Sequence, residues 1–197
     1  MITLTNEDNM DLMARYEDNH FDLAIVDPPY SWGKTTKKID IRKQHIEKNW
    51  NDKKPSREYF NDLFRVSKNQ IIWGGNYFDL PATRGFVFWY KHQPLENYAD
   101  GEYAWTSFDR NCKMFDYGYT NVINYVKRIH PTQKPVPLYQ WLLMNYAKEG
   151  DKILDTHLGS GSIALACHNL KFDLTACELD QDYFNAAEKR LKQHQQQ

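Results

Sequence analysis

Lys152-Ile153-Leu154-Asp155-Thr156-His157-Leu158-Gly159-Ser160-Gly161-Ser162 reads as a short buried strand, a glycine turn and the start of a helix over 162–170. Glycine lacks a Cβ, so a turn of this kind lets the backbone come close to a ligand. About 20 residues further on, the apolar run Leu174-Thr175-Ala176-Cys177 ends at Glu178. An acid at such a strand end can accept hydrogen bonds from both hydroxyls of a ribose. The third glycine of the dinucleotide fingerprint is missing, because Ala164 stands in its place. The pattern therefore favours a nucleoside over a dinucleotide, although tight strand-to-helix turns also occur without ligands.

Strands and helices alternate outward from this unit. Strands are expected at 2–5, 21–26, 70–73, 85–90, 102–108, 120–126, 152–155 and 173–177. Helices are expected at 9–16, with Met10, Met13 and Ala14 inward, and after the capping residue Ser56. Two more cover 135–148 and 181–193, leaving a polar tail that frays. Pro135 and Pro137 fit only the first turn of the third helix. The alternation predicts an α/β fold: a mainly parallel twisted sheet with helices on both faces.

At 197 residues the chain is expected to form a single domain. Net charge is -1, which excludes a globally basic nucleic-acid binder. Charge is nonetheless uneven. Residues 31–57 carry nine basic and three acidic side chains, or +6, so the remainder carries -7. Most charge runs are solvated faces; this one is read as a loop for phosphate, through Lys34, Lys37, Lys38, Arg42, Lys43, Lys53 and Lys54. Aromatics reach 15%, more than a core of this size needs, so some rings are available to planar ligands. No apolar run approaches the ~20 residues that span a bilayer, and the N-terminus does not read as a secretion signal. Three cysteines without a CxxC pair point to a reducing cytoplasm and no structural metal.

Asp27-Pro28-Pro29-Tyr30 ends the strand at 21–26. Proline stops a ladder, but a terminator needs no second proline, no acid and no ring. Two successive prolines fix φ and remove two donors, which leaves carbonyl acceptors beside a carboxylate. Such a corner can accept hydrogen bonds from an exocyclic amine, and Tyr30 can stack on the ring that bears it.

Three blocks together resemble the S-adenosylmethionine-dependent DNA amino-methyltransferases, which modify adenine N6 or cytosine N4. They are Asp27-Pro28-Pro29-Tyr30, His130-Pro131-Thr132-Gln133-Lys134-Pro135, and the glycine loop with Glu178. Their order is similar to that of the circularly permuted β class. The stretches Ile71-Ile72-Trp73-Gly74-Gly75-Asn76-Tyr77-Phe78 and Glu102-Tyr103-Ala104-Trp105-Thr106-Ser107-Phe108 also look similar to members of it. Thr156, His157 and Ser162 depart from the family, which commonly has Pro, Phe and Thr there.

The resemblance implies a Rossmann-like methyltransferase fold and a cytoplasmic enzyme, bacterial or phage-encoded. It implies Asp27, Pro28, Pro29 and Tyr30 as catalytic residues acting on an adenine flipped from duplex DNA. Cytosine-N4 members more often begin the tetrapeptide with Ser. It implies His130, Thr132, Gln133, Lys134, Asp155, Gly159, Ser160, Gly161, Ser162 and Glu178 around S-adenosylmethionine, with Thr132 and Lys134 near the methionine carboxylate. No metal is required. Only about 20 residues, 109–129, remain for a target-recognition insert, against the ~100 of a typical domain, so a homodimer is an attractive arrangement. Cytosine N4, an RNA adenine, and a non-catalytic binding module of the same fold stay open as alternatives.

Overall fold

The computed structural model describes residues 1–30, 54–92, 99–118 and 128–197. Lys34, Lys37, Lys38, Arg42, Lys43 and Lys53, and the strand expected at 120–126, lie outside the described residues.

Eight strands among the described residues form one sheet. They are β1 (Ile2–Thr5), β2 (Phe21–Val26), β3 (Ser67–Trp73), β4 (Phe86–Tyr90), β5 (Gly101–Thr106), β6 (Lys113–Asp116), β7 (Lys152–Asp155) and β8 (Asp173–Cys177). The order is β1-β8-β7-β2-β3-β5-β4-β6. Every neighbouring pair is parallel except those made by β5, which runs antiparallel to β3 and β4. The expected mainly parallel α/β sheet is thus present. Strand β6 was not anticipated; it lies inside the expected recognition insert and buries only Phe115.

Side chains alternate across the sheet. Leu23, Ile25, Ile71 and Trp73 face one core, which helices α3 (Val136–Tyr146), α4 (Ser162–Leu170) and α5 (Gln181–Gln195) cover. Ala24, Val26 and Ile72 face the other, covered by α1 (Asn9–Ala14) and α2 (Arg57–Val66). In α1 the buried pair is Leu12 and Met13, and Ala14 is exposed, contrary to expectation. Six residues make too short a helix for a 3.6-residue stripe to develop, so packing against α2 decides. Ser56 caps α2, its Oγ accepting from Tyr59 N at 3.3 Å. Pro135 is the N-cap of α3 and Pro137 sits in its first turn.

Candidate active site

The corner Asp27-Pro28-Pro29-Tyr30 follows β2, and the glycine turn follows β7. These strands are hydrogen-bonded neighbours, with Leu23 opposite Ile153 and Ala24 opposite Leu154. Both segments consequently emerge at the carboxyl end of the sheet, where α/β folds bind ligands. They open into one cavity of about 980 Å³. Asp27, Pro29, His130, Thr132, Gln133, Lys134, Gly159, Ser160 and Glu178 line it, as does Lys54.

Glu178 is tied down at every polar atom. Its N–H donates to Thr5 O at 3.1 Å, and its carbonyl accepts from Asn6 Nδ2 at 2.7 Å. Oε2 accepts the Gly159 N–H at 2.8 Å, and Oε1 accepts the Asp180 N–H at 3.0 Å. Each oxygen keeps further lone-pair capacity. Burial raises its pKa, partly opposed by those backbone donors.

Pro28, Tyr30, Asp155, Gly161 and Ser162 are not among the cavity walls. Asp155 is 2% exposed, and burial pushes its pKa up to about 8, with the charges of Asp27 and Glu178 adding to the effect. Gly161 begins α4 at φ +71, and a Cβ there would meet Ala187 Cβ at 3.1 Å, so this glycine lets α5 pack close. The Ser162 hydroxyl lies 3.1 Å from that of Ser160 and accepts from Arg190 at 3.0 Å.

Tyr30 was expected to offer its ring to a planar ligand. Its ring stacks on Tyr77, with centroids 5.1 Å apart, and its hydroxyl donates to Asp27 Oδ1 at 2.5 Å. Gly74, at φ +67, makes room for it: a Cβ would lie 2.1 Å from Tyr30 Cε1. The Lys134 ammonium, at the same cavity, pairs with Asp27 Oδ2. Lys54 donates to Tyr77 O at 3.2 Å.

Sequence reasoning missed Asn9, Met10, Tyr59, Tyr139 and Tyr183 as walls of the cavity. Tyr59 belongs to the buried face of α2, and its hydroxyl lies 2.7 Å from Thr156 Oγ1. Thr156 Oγ1 is 2.9 Å from His157 Nδ1, and Asn9 Nδ2 is 3.2 Å from His157 Nε2. Asn9 Nδ2 can only donate, so Nε2 accepts and Nδ1 carries the proton. The ring is neutral, and burial pushes its pKa down to about 3. A pKa lowered from 6.5 means the unfolded chain binds the extra proton first, so stability falls as pH drops from 6.5 toward 3. Thermal unfolding across that window should show a shallower decline for His157→Phe than for the unmodified chain. Parallel slopes would show that His157 does not titrate on unfolding.

A family model described as a DNA methylase, of the N6/N4 type, matches residues 72–189, more than half of the chain. The chain belongs to the N6/N4 DNA methylase family. Among curated relatives, it is 23% identical to the Type II methyltransferase M.HpaI of Haemophilus parainfluenzae over 229 aligned residues, spanning 91% of this chain and 70% of that protein. A 63-residue stretch is 36% identical to the Type II methyltransferase M2.DpnII of Streptococcus pneumoniae, covering 32% of this chain and 24% of that protein. Among solved structures, the fold superimposes on the M1.HpyAVI-SAM complex with a TM-score of 0.67 at 20% identity, covering 97% of this chain and 99% of that one. It superimposes on the cytosine-N4-specific PvuII DNA methyltransferase with a TM-score of 0.62 at 12% identity, covering 98% and 90%. These DNA methylases share the Rossmann-like fold described above. No helix among the described residues is long and apolar enough to cross a membrane.

Proposed function

We propose that this DNA methylase transfers a methyl group from S-adenosylmethionine to adenine N6 in DNA, with Asp27 holding the amine. The observation that carries the reading is the shared cavity: the Asp27 corner and the Glu178–Gly159 turn open onto the same space. Asp at the head of the tetrapeptide favours adenine over cytosine, given the Ser more usual in cytosine-N4 members.

The residues present suit the cofactor. The cavity lies within the range of small-molecule sites, and Glu178 retains acceptor capacity on both oxygens for ribose hydroxyls. Gly159 and Ser160 supply close backbone beside it, with His130, Thr132 and Gln133 along another wall. When bound, S-adenosylmethionine supplies an electrophilic methyl group on a sulfonium. Asp27 and the Pro28 carbonyl accept the two amine hydrogens, which favours a pyramidal nitrogen and localises its lone pair. Tyr30, by donating to Oδ1, fixes the rotation of the Asp27 carboxylate. Catalysis is then mainly positioning and electrostatics, and Asp27 is the first acceptor for the proton released after transfer. The base must leave the stack, at a cost of a few kcal/mol.

The chain then works as a single catalytic domain, with the basic stretch 31–57 on the DNA backbone and residues 109–129 assisting target choice. Pairing of two chains would enlarge that recognition surface. Neutralising Lys37, Lys38, Lys53 and Lys54 should weaken DNA binding and flatten its salt dependence by up to about four units of log K against log salt, as each lost phosphate contact contributes ~0.9. An unchanged slope would remove the stretch from the interface.

The direct test incubates the protein with unmethylated duplex DNA and labelled S-adenosylmethionine, then digests the DNA to nucleosides. N6-methyladenosine in the deoxy series is the expected product. N4-methyldeoxycytidine would replace the adenine assignment. Cofactor binding without any transfer, to DNA or RNA, would favour a non-catalytic module.

A further inference from the structure

Asp27 already has a partner on each carboxylate oxygen. Oδ1 accepts from Tyr30 at 2.5 Å, and Oδ2 faces the Lys134 ammonium. An amine that binds Asp27 must compete with them. Lys134 is 4% exposed, lies over the Trp73 ring at 5.1 Å, and has a second carboxylate within reach: Glu102 Oε2 at 3.2 Å. That oxygen is buried, and the ammonium it shares with Asp27 is its one partner among the described residues. Glu102 Oε1 is held by Lys91.

A buried carboxylate oxygen that must share its donor is under-satisfied, and native proteins rarely keep one without a use. The sheet fixes where this one stands. Glu102 is opposite Trp89 in the β4–β5 ladder, and Lys91 lies just beyond the end of β4. Lys134, on a flexible four-carbon stem, is the mobile member of the set. A small swing carries its ammonium from Asp27 to Glu102 and leaves no buried charge alone.

We infer that Glu102 is a positioning residue for methyl transfer: it takes over the Lys134 ammonium as the target amine engages Asp27. The inference rests on Asp27 holding that amine and holds for either base. Two consequences follow for the chemistry. Oδ2 becomes available as an acceptor. The amine nitrogen also gains positive charge as the methyl arrives, and an ammonium left on the same carboxylate would oppose it.

Glu102→Gln keeps the shape and removes the charge. Under single-turnover conditions with saturating DNA and cofactor, the transfer rate should fall about 10- to 100-fold, the range for a misplaced reacting group. S-adenosylmethionine affinity by calorimetry and the unfolding midpoint should stay close to those of the unmodified protein. The discriminating variant is Lys134→Gln. Once the ammonium is gone, Glu102 has nothing to take over, so Glu102→Gln/Lys134→Gln should be no slower than Lys134→Gln alone. A merely structural Glu102 would give losses that multiply. Either multiplying losses, or a Glu102→Gln rate within threefold of an active unmodified protein, would overturn the inference. If the unmodified protein transferred no methyl group to DNA, the functional reading would fail first, and the role of Glu102 with it.

Discussion

Asp27→Ala should lower methyl transfer by at least on the order of 10²–10³-fold, the loss usual when one preorganised electrostatic partner is removed. Cofactor affinity should hardly change. Asp27 reaches the cavity from β2, whereas Glu178 and the glycine turn approach it from β8 and β7. The variant should also fold. Lys134 keeps Glu102 at 3.2 Å, so truncating Asp27 does not leave a buried ammonium without a counter-charge. Single-turnover transfer and calorimetric titration with S-adenosylmethionine on the same preparation separate the two effects. An Asp27→Ala protein that still methylates DNA would take this carboxylate out of the mechanism.

The second large effect is expected at Glu178. Truncation to Ala removes acceptors from the Gly159 and Asp180 amides and any bond to a bound ribose. Hydrogen bonds to a charged group are worth ~1.5–3 kcal/mol each, so losing one contact to the cofactor and loosening the turn should weaken S-adenosylmethionine binding about 100-fold. Transfer should recover substantially at saturating cofactor, a pattern opposite to that of Asp27→Ala. Glu178→Gln, which retains one carbonyl acceptor, should fall between the two proteins. Undiminished affinity in Glu178→Ala would assign this side chain to holding the turn alone.

The framework was legible in the sequence because its signals are local. The run at 21–26 stops at two prolines, the strand at 152–155 runs into a glycine turn, and Ser56 precedes a helix with an apolar face; each appears where expected. Weak or non-local signals failed. Strand β6 has one buried side chain, Phe115, and so no alternation to detect. The close approach of Ala187, from the far end of the chain, to Gly161 left no mark in the sequence. The pairing of Lys134 with Asp27 and Glu102 spans three separate segments, and no spacing encodes it. Glu102 carried one faint sign, an acid among the aromatic and small residues of a strand. His157 carried another, an imidazole where the family commonly has a phenyl ring; its burial, and the Thr156 and Asn9 side chains that orient it, became visible only in three dimensions.

The adjacency of β2 and β7 separates two evolutionary tasks. The spacing between the Asp27 corner and the glycine turn is set by one rung of a hydrogen-bonded ladder near the centre of the sheet, ~4.8 Å across. Substitutions away from these two strands can therefore accumulate while the corner and the turn keep their spacing.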